Sequence, residues 1–297
     1  MTSIRILRAG PLATLQDARR PGLLRHGISA SGPMDRSAFE RAGAWVGGAG
    51  TTGIEFTAAG LRFAVEGGAL AMGCDGGSFG LSIDGAEKSW PARAVLKPGS
   101  IVDITPGPAG NYGYLRFDRE IDVPLVLGSR ATSSIAGIGG MGGRALVGGD
   151  VVAFGETAPR VPSQHPRPSA VRQGPIRVTW GIHADRFDNP TRQRFVSEGF
   201  AISAQLDRMG VRLADRAGVF AGATILSLVS DAVVPGDIQI LGDGTPIVLM
   251  RDHQPTGGYP RIATVISADF DRLAQLRPGT ELKFEPVTVA HAEALNR

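Results

Sequence analysis

Residues 61–66 read LRFAVE, so that Leu61, Phe63 and Val65 alternate with Arg62, Ala64 and Glu66. A period of two gathers the apolar set on one face of a pleated strand, and turn signals bound the run. Working outward, similar alternating or β-branched runs recur: GLSIDG (80–85), SIVDITP (100–106), DVVAF (150–154), IRVTWG (176–181), TPIVLM (245–250), RIATVIS (261–267) and ELKFEPV (281–287). The chain therefore reads as mainly β. Three segments carry helical signals instead. PMDRSAFERAGAWVG (33–47) puts Met34, Ala38, Phe39 and Trp45 near one face. NPTRQRFVSEG (189–199) offers Asn189 as N-cap and Pro190 at the first helical position, and SADFDRLAQL (267–276) is the third.

The stretch GETAPRVPSQHPRPSAVRQG (155–174) has four prolines and few apolar residues, which marks a linker. It divides the chain into expected domains at 1–158 and 170–297. An echo between VLKPGSIVDI (95–104) and QLRPGTELKF (275–284) hints at related halves, although Pro-Gly turns between strands are common.

Composition bounds the function. A chain of 297 residues, 42% hydrophobic and 20% charged, buries a real core, and 42 glycines without a triplet period mean many tight turns rather than collagen. The pI near 9.4 does not imply nucleic acid, because the net charge is only +3 and the basic residues are scattered. Lysine occurs only at 88, 97 and 283, so the basic charge is almost all arginine, suited to bidentate anion contacts; GC-rich codon usage explains the bias equally well. The lone Cys74 excludes an intrachain disulfide and fits a reducing compartment. Histidines at 26, 165, 183, 253 and 291 show no paired metal spacing, so no metal site is expected. The N-terminal residues are too polar for a signal peptide, and no apolar run approaches a membrane span. A soluble, cytoplasmic protein is the expectation, with neither nucleic acid nor membrane as partner.

Familiar catalytic signatures are missing. GIGGMGGRALVGGD (137–150) holds a literal GxGxxG at Gly137, Gly139 and Gly142, but turn glycines and a strand follow where a dinucleotide site needs a helix. The plainer reading is a glycine-rich hairpin; the sharper one is a nest of N–H groups facing an anion beside Arg130 and Arg144. There is no phosphate-binding GxxxxGK[ST], no GxSxG, and no methionine-flanked lysine that could carry biotin. What remains are polar residues set in glycine-rich turns: QDARRPG (16–22), SGPMD (31–35), GSRAT (128–132), QLDRMGVRL (205–213), VPGDIQILGDG (234–244) and DHQPTGGYP (252–260). One such turn is usually a solvated loop. Six on a β framework suggest the mouth of a site.

These segments, in this order, resemble the family variously called allophanate hydrolase subunit 2, KipA, the C subunit of 5-oxoprolinase (PxpC) and biotin-dependent carboxyltransferase-like. The resemblance opens on Thr14, Gln16, Asp17, Arg19, Gly27, Ser31, Gly32, Met34 and Asp35 and continues through Glu55, GSRAT, GGMGGR, DRMGVRL, VVPGDIQILGDGTPIVL and QPTGGYPRIATVISAD, covering roughly residues 4 to 285. Ala18, Gly43, Gly48 and Asp237 depart from the family's usual residues, which bears on substrate choice. The resemblance implies two cyclophilin-like β-barrel domains with a few short helices. It implies action with a KipI-type protein, the B component, and a LamB/YcsF-type protein, the A component, in ATP-dependent opening of 5-oxo-L-proline to L-glutamate. Carboxyltransfer in urea or amide metabolism, and antagonism of a kinase inhibitor, are the family's other activities.

Activating a lactam by phosphorylation calls for cations around phosphoryl oxygens and for held carboxylates. The expected catalytic residues are Asp35, Asp207 and Arg208. The expected substrate or anion contacts are Gln16, Asp17, Arg19, His26, Ser31, Arg130, Thr132, Arg144, Gln239, Gln254, Thr256 and Tyr259. Each neighbouring Asp and Arg is as readily a structural ion pair at a loop base.

Overall fold

The computed structural model describes residues 1–48, 50–156, 172–222 and 227–295. It is mainly β with a few short helices. The chain divides into two compact units, Met1–Pro21 with Ala30–Ser169, and Gly22–Ser29 with Ala170–Arg297. Most of the proline-rich stretch read as a linker, residues 157–171, lies outside the described residues.

The first unit carries β1 (Thr2–Ala9), β2 (Thr14–Gln16), α1 (Arg36–Ala44), β3 (Gly53–Thr57), β4 (Leu61–Glu66), β5 (Leu70–Ile83), β6 (Ala86–Lys88), β7 (Ala92–Leu96), β8 (Ile101–Phe117), a short turn α2 (Gly140–Gly143) and β9 (Val151–Phe154). Its sheet runs β2-β3-β8-β4-β1-β9, and β5 extends it by pairing with β6, β7 and β8. LRFAVE is β4, and its alternation is realised: Leu61, Phe63 and Val65 are fully buried. They join Ile4 and Ile6 of β1 and Leu70, Met72 and Cys74 of β5 in one core. Burial pushes the Cys74 thiol up to about 12, so it stays protonated and behaves as a small hydrophobe.

Helix α1 is placed by one close approach. A Cβ on Gly73 of β5 would collide with the Ala42 carbonyl, so only glycine lets this helix backbone lie on the strand. Ala38, Phe39, Ala42 and Gly43 face inward, while Met34 is buried ahead of the helix rather than on its stripe. The docking aims the α1 N-terminus at β3 and β8.

The second unit carries β10 (Ile176–Trp180), α3 (Asn189–Ser197), β11 (Phe200–Leu206), β12 (Gly210–Ala214), β13 (Asp231–Ala232), β14 (Asp237–Ile240), β15 (Pro246–Leu249), β16 (Thr256–Gly257), β17 (Arg261–Val265), α4 (Ser267–Ala274), β18 (Glu281–Leu282), β19 (Phe284–Pro286) and α5 (Val289–Ala294). The sheet order is β18-β11-β12-β15-β14-β17-β10-β19, with β13 and β16 forming a separate ribbon. All pairs are antiparallel except β10 with β19.

Two local readings change. Helix α3 is capped by Asp188, whose carboxylate accepts from the Thr191 N–H, so Asn189 is its first helical residue. The Pro-Gly echo is not a shared unit, because Pro98–Gly99 joins β7 to β8 whereas Pro278–Gly279 follows helix α4.

Helix α3 is polar over most of its surface and holds to the sheet through Phe195, its one fully buried side chain. That ring stacks on Phe284 with centroids 4.8 Å apart and meets Phe200 and Phe220 at 5.8 and 6.2 Å. Phe195→Ala should therefore cost about 3–5 kcal/mol of stability. Denaturant unfolding checks it; a loss below about 1 kcal/mol would mean that this cluster does not anchor α3.

Candidate functional site

In the first unit the polar turns converge around the end of β2. Gln16, fully buried, accepts from the Gly32 N–H (3.0 Å) and donates to Thr14 Oγ1 (2.9 Å) and the Thr132 carbonyl (3.2 Å). Asp17 accepts from Ser129 Oγ (2.7 Å) and from the Arg130 N–H (2.6 Å). The Thr132 hydroxyl donates to the Gly140 carbonyl at 3.2 Å. Arg20, fully buried, donates to the carbonyls of Val126, Ser129 and Ala131. QDARRPG thus clamps GSRAT and the glycine-rich turn into one frame.

The α1 N-terminus adds a second layer. Asp35 caps the helix by accepting from the Ala38 N–H (2.9 Å), and its own N–H donates to the Tyr114 hydroxyl (2.7 Å). Glu55, fully buried on β3, accepts from the Met34 N–H at 2.7 Å. Burial, and then the Glu55 and Asp35 charges, raise the Tyr114 hydroxyl well above its ordinary value, so it remains a proton donor. Ser31 holds a left-handed backbone (φ 52°) that serine seldom adopts, and its buried Oγ has no partner among the described residues.

The remaining expected side chains are placed differently, and Arg130 belongs to this frame through its backbone N–H. Arg19 is exposed. Arg130 donates through Nε to the Val123 carbonyl (2.7 Å). Arg144 is on the surface, its fork taken by both Asp150 oxygens at 2.7 Å, which removes it from the anion nest proposed beside the glycine-rich turn. His26, in the exposed turn Leu24–His26, belongs to the second unit and accepts from Arg25 Nε at 3.1 Å.

The second unit has its own polar cluster. Arg208 and Asp252 form a buried bidentate pair (2.7 and 3.2 Å), and the Asp252 N–H donates back to the Arg208 carbonyl. His253 Nδ1 lies 2.6 Å from the Gln254 carbonyl, which requires the proton on Nδ1 and leaves Nε2 as an acceptor; burial lowers its pKa and keeps the ring neutral. Gln254 Nε2 donates to Gln239 Oε1 at 3.4 Å.

A β-bulge completes this cluster. Pairing runs Asp237↔Thr264, Ile238↔Ala263, then Gln239↔Arg261, so Ile262 is the extra residue. Strict alternation would put Arg261 on the apolar face with Ala263; the bulge turns it to the side of Asp237 and Gln239. There Arg261 donates to Asp237 (3.3 Å), Asp231 (2.9 Å) and the Ala232 carbonyl (2.6 Å). Its N–H donates to His183 Nδ1 (3.2 Å), whose pKa burial and the Arg261 charge lower. Asp207 stands apart: it is exposed and accepts from the Met209 and Gly210 N–H groups of its own turn. Thr256 and Tyr259 are exposed as well.

The structure therefore assembles Gln16, Asp17, Ser31, Arg130, Thr132 and Asp35 in one unit and Arg208, Gln239 and Gln254 in the other. Sequence reasoning missed Arg20, Tyr114, Asp252, His253 and Arg261. The DH of DHQPTGGYP was the available sign of two of them. No group of three or more His, Cys, Asp or Glu among the described residues could hold a metal ion, and no helix among them is long and apolar enough to cross a membrane.

Removing one partner of a buried ion pair strands the other charge, whereas an exposed turn carboxylate contributes little. Asp252→Asn should cost about 3–5 kcal/mol and Asp207→Asn no more than about 1 kcal/mol in chemical denaturation. Equal costs would contradict the assignment of Arg208 to a buried pair.

Comparison with known proteins gives this architecture a family. The model of the carboxyltransferase domain, subdomains A and B, matches residues 26–286. The C subunit of the 5-oxoprolinase of Escherichia coli K12 is 34% identical over 97% of this chain and 93% of its own length. Urea amidolyase of Saccharomyces cerevisiae is 31% identical over 99% of this chain, which spans only 17% of that protein. The crystal structure of the K. lactis urea amidolyase superposes with a TM-score of 0.87 at 25% identity, covering 98% of this chain and 19% of that one. With the family model matched over most of its length, this mainly β chain belongs to the carboxyltransferase domain family, subdomains A and B.

Proposed function

We propose that the chain is one component of an ATP-dependent 5-oxoprolinase, opening 5-oxo-L-proline to L-glutamate with a KipI-type and a LamB/YcsF-type protein. The observation that carries this reading is the likeness to the 5-oxoprolinase C subunit, which runs nearly the full length of both chains. The urea amidolyase likeness spans a small part of a much longer protein and supports the carboxyltransferase-related alternative less.

A five-membered lactam is an unreactive amide, and ATP would supply the phosphoryl group that activates it. A triphosphate needs free cations and convergent N–H donors. Here Arg208 is committed to Asp252, Arg144 to Asp150, and Arg130 Nε to the Val123 carbonyl. With these three arginines held in contacts of their own, we assign the nucleotide's phosphates to a site shared with the partner proteins in the assembled complex. What this chain contributes is neutral and preorganised: buried amides, hydroxyls and a neutral imidazole suited to holding an uncharged ring amide.

A partner surface is supported separately. Leu125, Leu127 and Ile135, on the connection that Arg20 and Asp17 clamp from behind, are each more than half exposed. Exposed large apolar side chains are what an associating surface presents, and we take this connection as one. A lone free thiol suits action in the reducing cytoplasm. A kinase-inhibitor antagonist would need this surface alone.

Co-expression with the KipI-type protein should give a stable hetero-oligomer, and adding the LamB/YcsF-type protein with ATP should release glutamate from 5-oxoproline. Association without turnover would favour the antagonist. Absence of association at micromolar concentration would overturn the reading of this chain as part of a 5-oxoprolinase complex.

A further inference from the structure

Gln239 carries a polar group that nothing among the described residues uses. The side chain is 2% exposed, and its Nε2 is buried with no hydrogen-bond partner. In the structure Gln254 Nε2 donates to Gln239 Oε1, which leaves the Gln239 NH2 group as the unused end of the amide. Two N–H donors left unmade inside a protein are costly, and an apolar side chain of the same shape avoids that cost, so a persistent orphan points to an oxygen that arrives from outside.

The surroundings say what kind of oxygen. On the same side of the sheet, Asp237 already accepts from Thr264 Oγ1, the Val234 N–H and Arg261 Nη1. The Arg261 guanidinium is held by Asp237 and Asp231 together. Two carboxylates share one guanidinium, so the cluster keeps an excess of negative charge, and the group left over is an uncharged amide. An uncharged donor beside excess negative charge favours a neutral carbonyl over a carboxylate or phosphate, which would be repelled and would need a spare cation to offset its desolvation. Covering the amide is Gly257, where any Cβ would strike Nε2. Gly257 lies in a ribbon of only two residue pairs, short enough to yield by the width of an oxygen atom.

We propose that Gln239 Nε2 donates a hydrogen bond to the carbonyl oxygen of the substrate's ring amide, and that residue 257 is glycine to leave room for it. The proposal rests on the 5-oxoprolinase reading and deepens it by naming the lactam contact.

The test measures KM for 5-oxoproline in the full complex of this chain with its KipI-type and LamB/YcsF-type partners, alongside the melting temperature of the isolated chain. Gln239→Met removes the donor and keeps the volume. It should leave the complex intact, keep or raise Tm, and raise KM about tenfold. Gly257→Ala displaces the amide without altering its chemistry and should also raise KM. A wild-type complex that turns over 5-oxoproline, with Gln239→Met of lower Tm and unchanged KM, would assign the amide to a buried water or to packing and overturn the proposal alone. A wild-type complex without 5-oxoproline turnover would overturn the functional reading and this contact together.

Discussion

A charged or amide side chain taken out of water must have its hydrogen bonds replaced, and both units of this protein are organised around meeting that demand. In the first unit Gln16, Asp17 and Arg20, three of five consecutive residues, are buried, and they spend their polar atoms on the backbone and hydroxyls of residues 126–132 and on Gly32. Loops that would otherwise wander are tied to the strand that precedes them. Glu55 and Tyr114 do the same for the start of α1, each receiving an N–H from the turn before it. Arg116 shows what the demand costs: burial brings its pKa down to about 10, and it is kept charged by Glu120, Glu40 and Asp17 while lying over the Phe39 ring at 4.2 Å.

The second unit meets the same constraint with ion pairs. Arg208 with Asp252, Arg261 with Asp237, and Arg177 with Asp269 are each largely buried and hydrogen-bonded. Each joins residues far apart in sequence, so they fix register as well as neutralise charge. Arg177 receives Asp269 from the first turn of α4, which seats that helix on β10. His253, Gln254 and Gln239 form a run of uncharged donors and acceptors beside the ribbon of β13 and β16.

Much of the framework was legible because strand alternation is a local signal. LRFAVE, DVVAF, IRVTWG and RIATVIS became β4, β9, β10 and β17 with ends within two residues of the reading. The helix signals also held apart from one cap, since aspartate at 188 competes for the role given to Asn189 and wins by reaching the Thr191 N–H. The sites were legible only in part. Asp252 pairs with an arginine 44 residues away, and Tyr114 sits inside the 17-residue strand β8 with no turn to announce it. Arg261 was hidden by the bulge, because strict alternation puts it on the core side. Arg144 was the reverse case: its place beside glycines suggested an anion, but Asp150, six residues on, is near enough to take the whole guanidinium fork.

The central claim is that the polar turns of the first unit are ordered by their buried side chains in the isolated chain, before any substrate or partner binds. Residue-resolved amide hydrogen exchange tests this directly. The N–H groups of Gly32, Met34, Asp35 and Arg130, which donate to Gln16, Glu55, Tyr114 and Asp17, should exchange as slowly as those of the central strand β4. If these four amides instead exchange at the rate of open surface loops while β4 stays protected, the turns are not preorganised by this chain, and the account given of its polar frame is contradicted.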